Sequence, residues 1–266
     1  MNLWEMVFVK NKKMKKISLL ASAIVICIAS VYSQSNALLA PRFETNGLSD
    51  ISLQNNFNSF IAQTNSQFTK GQLAEFTGLG GTQRYFSNVW VSGAAMNPQG
   101  VTIGKPYVFN FDFKEHELYA QWKDTAIVVN SNYLKAFMLM DNGQPHYFVR
   151  EPAIHLTYFL ESIGFDPELK TEPKVQLLKL RKVVLKKTNK NDYAATFSGD
   201  YSDKVVSEIA YYISQPDHKF SKIKLSKKAI TAALPEYAQK FNEYFASNPD
   251  KLDDGNAVNL IKYLNQ

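Results

Sequence analysis

The sequence has almost no cysteine, because Cys27 is the only one among its 266 residues. Cys27 lies inside an uncharged run near the amino terminus, from Ile17 to Val31, which is typical of a signal sequence. If this run is removed on export, the mature protein contains no thiol. Disulfide bonds, thiol nucleophiles and cysteine-ligated metal sites are then excluded together.

The sequence also lacks a strong excess of charge once its first residues are set apart. The formal net charge is +6. Residues 1–33 contribute +4 of this, from five lysines against Glu5, so the remaining residues carry only +2. The five are Lys10, Lys12, Lys13, Lys15 and Lys16. A charge this small gives no argument for nucleic acid as a partner, and we expect none.

Local catalytic motifs are lacking as well, since the sequence contains neither a Gly-x-Ser-x-Gly elbow nor a His-Glu-x-x-His helix. Gly100 to Pro106 differs from a phosphate-binding loop by one missing residue and by Pro106 at the hydroxyl position. Ser221 and Lys224 fit Ser-x-x-Lys spacing, but in an extended, lysine-rich stretch without the partner motifs. The sequence therefore assigns no catalytic residue, no cofactor-binding residue and no cofactor.

Residues 1–33 are predicted to be a signal peptide. A lysine-rich region precedes the apolar run, and Ser33 or Ala37 supplies a small residue for cleavage. The run is shorter than the about 20 residues that a membrane span needs, which favours cleavage over anchoring. Met14 is an alternative start. We expect a protein exported to the periplasm, the outer surface or the medium, and not an integral membrane protein after cleavage.

The rest of the sequence divides into three parts. Residues 34–82 are rich in Asn, Gln, Ser and Thr, and we expect them to be partly ordered against the main body. Residues 83–225 contain strand-like segments separated by turn residues, which predicts an antiparallel β-sheet domain. Residues 226–266 change to a helical period and predict helices packed on the sheet, with Ser226 and either Asp253 or Asp254 as N-caps.

The central hairpin is predicted from the stretch between Tyr107 and Trp122, where apolar and polar residues alternate on each side of a polar tip. With residues 114–117 as the loop, all apolar side chains lie on one face. That register places Phe113 opposite Leu118, Phe111 opposite Ala120 and Phe109 opposite Trp122. Because a two-stranded ribbon is not stable alone, further elements must cover this aromatic face.

Several flanking elements follow from local patterns. Short strands are predicted at 84–86 and 89–95, and a second hairpin turns at Asn142 and Gly143, a pair typical of a type I′ turn. Residues 154–163 fit a helical face ended by Gly164, so we predict a helix that covers the sheet. The fold class is thus α+β: a twisted antiparallel sheet, a meander or half-barrel, with a covering helix and C-terminal helices.

The stretch from Lys174 to Thr188 alternates basic residues with Val and Leu. One interpretation is a basic strip for an anionic glycolipid or polymer. The other, which we favour, is a long strand whose lysines keep a sheet edge from pairing with other molecules.

Two groups of residues are candidates for metal binding, and neither is assigned as a site. Asp112, Glu115, His116 and Glu117 crowd the tip of the central hairpin. A charged hairpin tip is also what solvent exposure alone produces. His146 and His155 could converge around Pro152, but without a third ligand.

Short motifs recur along the predicted sheet and helices: Gly104–Tyr107, Glu117–Tyr119, the strands of Phe137 and Phe148, Tyr158–Leu160, Val175–Leu178, Lys222–Lys228 and Leu260–Asn265. Their order resembles that in a group of uncharacterised exported proteins of Bacteroidota. The resemblance covers Gln83 to Gln266. It implies an envelope or secreted location and a sheet followed by helices. It transfers no activity and no functional residue.

Three functions are compatible with these patterns. The first is a non-enzymatic binding or structural protein of the cell envelope, with an envelope protein, polysaccharide or lipid as partner. The second is a periplasmic carrier of a hydrophobic ligand, enclosed by the sheet under a lid of helices. The third is a hydrolase whose carboxylates meet only in the fold, because paired Asp or Glu residues leave no local signature.

Overall fold

The computed structural model describes residues 84–122, 125–167, 173–186, 204–214 and 219–266. The predicted signal peptide, residues 1–33, and the polar segment, residues 34–82, lie outside these ranges. The strands are β1 (Val91–Met96), β2 (Thr102–Ile103), β3 (Val108–Asp112), β4 (Glu117–Trp122), β5 (Thr125–Val129), β6 (Ala136–Asp141), β7 (Gln144–Arg150), β8 (Phe159–Ile163), β9 (Leu177–Lys186), β10 (Lys204–Ser214) and β11 (Phe220–Ile223).

These strands form one open antiparallel sheet. Its order is β11-β10-β9-β8-β7-β6-β1-β3-β4-β5, and β2 pairs with β1 beside this path. Most neighbours in the sheet are also neighbours in sequence, as in a meander, and the exception is β1, which lies between β6 and β3. The predicted α+β class, with an antiparallel sheet and C-terminal helices, is confirmed.

Three α-helices follow the last strand: α1 (Lys227–Ala233), α2 (Ala238–Ser247) and α3 (Asp254–Asn265). The Ser226 side chain caps α1 by accepting from the backbone N–H of Ala229, and Asp253 caps α3 by accepting from that of Asn256. Both capping predictions are confirmed. None of the helices in the described ranges has the length and apolar character that a membrane span requires.

The central hairpin is present, but its predicted register is wrong by two residues. Phe111 lies opposite Leu118 and Phe109 opposite Ala120, with Asp112 paired to Glu117. The turn therefore spans 113–116 instead of 114–117. A shift of two keeps every side chain on its predicted face, because the side-chain period of a strand is two.

The Asp112 side chain explains why the turn starts early. Its Oδ1 accepts from the backbone N–H of Lys114 at 2.7 Å and of Glu115 at 3.3 Å, which closes the chain on itself directly after Asp112. His116 then takes a left-handed backbone conformation, with φ at 55°, and returns the chain to β4. The alternation of apolar residues carries no information about this local capping.

The second hairpin has the predicted turn. Asn142 and Gly143 have φ angles of 48° and 81°, as a type I′ turn requires at both central positions. By contrast, the predicted strand at 84–86 is wrong, because this segment contributes only one isolated bridge, between Tyr85 and Asp112.

The predicted covering helix at 154–163 is also wrong, because its second half is strand β8. β8 pairs with β7 on one side and β9 on the other, so its backbone groups are satisfied by two neighbouring strands. Its apolar residues are buried on both faces, and a short run of this kind fits a helix and a buried strand equally well. Gly164 does have a positive φ, 72°, but it ends a strand.

Strand β9 corrects the interpretation of the basic stretch. It is a long strand, as predicted, but it is not at an edge: β8 pairs with its first part, and β10 pairs with it from Leu177 to Lys186. Three of its basic side chains engage acidic or aromatic groups on the two faces of the sheet: Lys179 contacts Glu161, Arg181 contacts Phe113 and Lys182 contacts Tyr158.

Two hydrophobic clusters fill the interior. The aromatic cluster lies on the central strands and contains Phe109, Phe111, Phe137, Phe148, Phe159 and Val183, among others. The helical cluster joins the ends of β8, β9 and β10 to the three helices through Ile163, Leu177, Ile213, Ile230, Phe241 and Leu260, among others.

Replacing Gly164 by alanine tests how closely the sheet approaches α3. A Cβ at Gly164 would lie 2.7 Å from Cβ of Ile261, whereas a Cβ at Gly100, which has a φ of 82°, would have no atom within 4 Å. We expect Gly100→Ala to lower the free energy of unfolding by about 1 kcal/mol, the strain of a left-handed residue. Gly164→Ala should lower the free energy of unfolding by about 1–3 kcal/mol more than Gly100→Ala does, because its new Cβ overpacks the contact with α3. Urea denaturation measures both, and equal losses would contradict the close approach.

Candidate functional site

A cleft opens on the sheet between the two hydrophobic clusters. On β8, Phe159 belongs to the aromatic cluster and Ile163 to the helical cluster, and Glu161 lies between them on the same face. The cleft has a volume of about 570 Å³. Its lining includes Phe86, Phe113, Asp141, His146, Tyr147, Glu161, Phe165, Lys179, Arg181, Asp254, Asn259 and Lys262.

Strand β9 repeats the pattern of β8. Val183 packs in the aromatic cluster and Leu177 in the helical cluster, while Lys179 and Arg181 lie between them on that face. Glu161 lies directly opposite Lys179, and Lys179 directly opposite Tyr211 of β10. Antiparallel register thus places a carboxylate, an ammonium group and a phenol side by side across three strands.

His146 and Asp254 complete this arrangement, which we call the polar row: His146, Glu161, Lys179, Asp254 and Tyr211. His146 Nδ1 lies 2.6 Å from Glu161 Oε1, and the other oxygen of Glu161 lies 3.4 Å from Lys179 Nζ. Lys179 Nζ donates to Asp254 Oδ2 at 2.5 Å, and the Tyr211 hydroxyl donates to Asp254 Oδ1 at 2.7 Å. The row is therefore one continuous chain of hydrogen bonds and ion pairs.

Within the polar row, each charged group stabilises the ionised form of its neighbour. Burial opposes the ionisation of Glu161, yet the hydrogen bond from His146 and the charge of Lys179 hold its pKa below the ordinary value. The bond to Glu161 raises the pKa of His146. Burial disfavours the Lys179 ammonium, but Glu161 and Asp254 more than compensate and raise its pKa. At neutral pH the centre of the row is a carboxylate paired with an ammonium group.

Aromatic rings border the polar row. Phe86 and His146 form an edge-to-face pair with ring centroids 5.3 Å apart, and Phe165 packs on Tyr147 at 4.5 Å. The Arg181 guanidinium lies 4.3 Å from the centre of the Phe113 ring and donates from Nε to Ser207 Oγ at 3.1 Å. The cleft thus offers flat apolar surfaces next to fixed hydrogen-bonding groups.

The predicted metal candidates at the hairpin tip do not converge. Asp112 is fully buried, and its Oδ2 lies 2.7 Å from Nη2 of Arg84. Glu115 pairs with its neighbour Lys114, and Glu117 accepts from the Tyr119 hydroxyl at 3.3 Å. Within the described residues, no group of three or more His, Cys, Asp or Glu side chains is placed to hold a metal ion.

The two predicted histidines lie in different surroundings. His146 belongs to the polar row, whereas His155 stacks on Tyr158 with ring centroids 3.7 Å apart. Ser221 and Lys222, the start of the Ser-x-x-Lys match, lie on β11 in extended pairing with Ile213 and Tyr212, as expected, and do not line the cleft.

His116 is a buried histidine, with only 3% of its surface exposed. Among the residues that the structure describes, neither of its ring nitrogens has a hydrogen-bond partner. Its ring stacks on the Tyr158 ring with centroids 3.7 Å apart, as the His155 ring also does, and forms an edge-to-face pair with Phe111 at 5.8 Å. Burial, together with the nearby His155 and Lys182, lowers the pKa of His116 to about 4.

The cleft is not recognisable from its key residues taken one at a time. Asp254 was a possible helix cap and Lys179 one of several basic residues, while Glu161 lay in a segment predicted to be helical. A period of two through Phe159, Glu161 and Ile163 was the available signal, since it places one polar residue between two buried ones. The carboxylates of the row meet only through strand register and helix docking.

Removing the ammonium group from the polar row should destabilise the fold. Lys179→Met leaves Glu161 and Asp254 without their shared cation, and we expect a loss of about 3 kcal/mol in the free energy of unfolding. Lys182→Met is the matched control, because the Lys182 ammonium group lies 4.8 Å from the centre of the Tyr158 ring and forms no ion pair with a carboxylate of the described residues. Its loss should stay below about 1 kcal/mol. Urea denaturation that gives equal losses would contradict the pairing.

His116 should make the protein less stable in acid. In the unfolded chain its pKa is near the ordinary 6.5, and in the fold it is about 4. The unfolded state therefore binds a proton that the fold excludes, and stability falls as the pH drops from about 6.5 to about 4, by about 3 kcal/mol.

The test compares His116→Asn with His155→Asn in urea denaturation between pH 4 and pH 7.5. Asn tolerates the left-handed backbone at this position and does not titrate. We expect His116→Asn to be less stable at neutral pH, because it loses ring stacking, but to have a flatter pH dependence than the wild type. An unchanged slope in His116→Asn, or an equal flattening in His155→Asn, would refute the role of His116.

No protein-family model matches this chain, and neither the curated proteins nor the solved structures contain one that is significantly similar to it. The resemblance to exported proteins of Bacteroidota therefore stays a prediction from short motifs. The chemistry of the cleft has to be inferred from its own residues.

Proposed function

We propose that this protein is exported to the cell envelope and that its role there is to bind a saccharide in the cleft. The single observation that carries the proposal is the cleft itself, in which aromatic rings border a fixed row of charged and polar side chains. The signal-like amino terminus supports the envelope location.

The composition of the cleft favours a polar ligand with rings. Sugar rings have apolar faces that pack on aromatic side chains and hydroxyl groups that need donors and acceptors at fixed positions. Phe86 and Phe165, which are both partly exposed, supply the first kind of contact. Gln144 and Asn259 lie at the same cleft and supply amide groups, which donate and accept at once.

A hydrophobic ligand fits this structure less well. The aromatic face that would receive it is filled by its own rings: Phe137 stacks on Phe148 at 4.7 Å, and Phe111 lies 4.9 Å from Phe137. All three rings are buried. The cleft beside them carries charges, which an alkyl chain would have to desolvate without compensation.

A two-carboxylate glycosidase is also less well supported, although Glu161 and Asp254 do meet in the cleft. Such an enzyme needs one carboxyl group protonated, as a general acid with a raised pKa. The pKa of Glu161 is lowered instead, against the effect of burial, by His146 and Lys179. Both carboxylates already bind the same ammonium group.

The proposal is tested by isothermal titration of the purified protein with chitotetraose and with soluble muropeptides from digested peptidoglycan. We expect binding to at least one probe, and Phe165→Ala should weaken it about 10-fold by removing a stacking surface. Tyr133→Ala is the control, because Tyr133 is an exposed aromatic residue that does not line the cleft.

Two results would contradict this function. One is the absence of heat from all probes at millimolar concentration, and the other is equal weakening by Phe165→Ala and Tyr133→Ala. Copurifying lipid, found by solvent extraction and mass spectrometry, would favour the hydrophobic carrier instead.

A further inference from the structure

We propose that His146 is a general base in the cleft, that Glu161 is its positioning residue, and that the site hydrolyses carboxylic esters carried by a saccharide. The inference rests on the proposed function only for the saccharide part of the substrate. The base itself is inferred from the geometry of the polar row.

The hydrogen bond to Glu161 prepares His146 for this role. At 2.6 Å it places the ring proton on Nδ1 and leaves Nε2 as the acceptor. Among the described residues, the hydrogen bond at Nδ1 is the only one that His146 makes through its side chain, so Nε2 is not engaged. The side chain is 32% exposed at the cleft wall, so water reaches the ring, and the edge-on contact with Phe86 restricts its rotation.

Glu161 is itself held in place. Its second oxygen contacts Lys179, which is bound in turn by Asp254 from α3. The carboxylate therefore cannot turn away from His146 without losing an ion pair. A histidine oriented by a hydrogen bond to a fixed carboxylate is an arrangement suited to general-base catalysis.

Water is the nucleophile in this scheme, because the described residues include no cysteine and none of the hydrogen bonds joins His146 to a hydroxyl side chain. Nε2 takes a proton from water as the water oxygen bonds to the ester carbonyl carbon. The carbonyl oxygen becomes an oxyanion, and Arg181 is a cation of the cleft suited to stabilise it. The oxyanion then collapses, the bond to the alcohol oxygen breaks, and the imidazolium returns its proton to that oxygen.

His146, oriented by Glu161, and a water molecule are sufficient to hydrolyse an ester bond. Its alcohol leaves with one proton, which the imidazolium supplies, whereas glycoside hydrolysis needs a protonated carboxyl group that Glu161 does not provide. The products are a carboxylic acid and an alcohol, and His146 is neutral again at the end of the cycle. No metal or redox partner is needed for the balance.

The experiment measures release of acetate from glucose pentaacetate, and of 4-nitrophenol from 4-nitrophenyl acetate, by the purified full chain. We expect hydrolysis of both, with His146→Gln lowering kcat/KM about 100-fold. His155→Gln is the matched control, because His155 lies outside the cleft, and it should stay within about two-fold of the wild type.

Glu161→Gln tests the positioning role through the pH profile. Glu161 raises the pKa of His146, so its loss should move the acidic limb of kcat/KM to lower pH, because neutral His146 is the active form. If these variants do not fold, carbethoxylation of the wild type replaces them: activity must then be lost in step with modification of His146, located by mass spectrometry, and not of His155.

The outcomes separate this inference from the proposed function. Saccharide binding without hydrolysis of either ester would overturn the catalytic role and leave the binding function standing. Hydrolysis that depends on His146, without saccharide binding, would support the role of His146 as general base and refute the proposal that the ligand is a saccharide. Equal rates in His146→Gln and His155→Gln would overturn the inference, since hydrolysis would then come from elsewhere.

Discussion

The ion pairs of Lys179 are the interaction on which the rest of the structure depends. Its strand places an ammonium group on a sheet face that is apolar at both ends, with Val183 in one cluster and Leu177 in the other. A buried charge without a partner costs several kcal/mol. Glu161 and Asp254 offset this cost by pairing with the ammonium group from two sides. The cleft lies beside these polar side chains, between the two hydrophobic clusters.

The same pairing joins the helices to the sheet. Asp254 lies in the first turn of α3, where a carboxylate also interacts favourably with the helix dipole. Two turns further along α3, Ile261 approaches the backbone of Gly164 so closely that a Cβ on Gly164 would collide with it. One helix therefore contacts the sheet through a charge at its start and through apolar packing along its length, which fixes one wall of the cleft relative to His146 and Glu161.

Patterns that depend on local chemistry were predictable. The turn at Asn142 and Gly143, the caps at Ser226 and Asp253, and the face of each strand in the central hairpin follow from neighbouring residues alone. The register of the central hairpin was not predictable. The Asp112 side chain closes the turn early, and the alternation of apolar and polar residues is the same after a shift of two residues. Strand β8 was not predictable either, because its run of buried residues acquires a conformation only from the strands on each side.

By itself, the sequence determined the α+β class, the antiparallel sheet and the order of sheet and helices, because alternation, turn residues and caps act over a few positions. Tertiary structure alone decided the site. Glu161, Lys179 and Tyr211 became neighbours through strand register, and Asp254 joined them when α3 docked on the sheet. Contacts between residues 75 positions apart, such as Lys179 with Asp254, leave no periodic trace in a sequence, since they depend on packing of the whole chain.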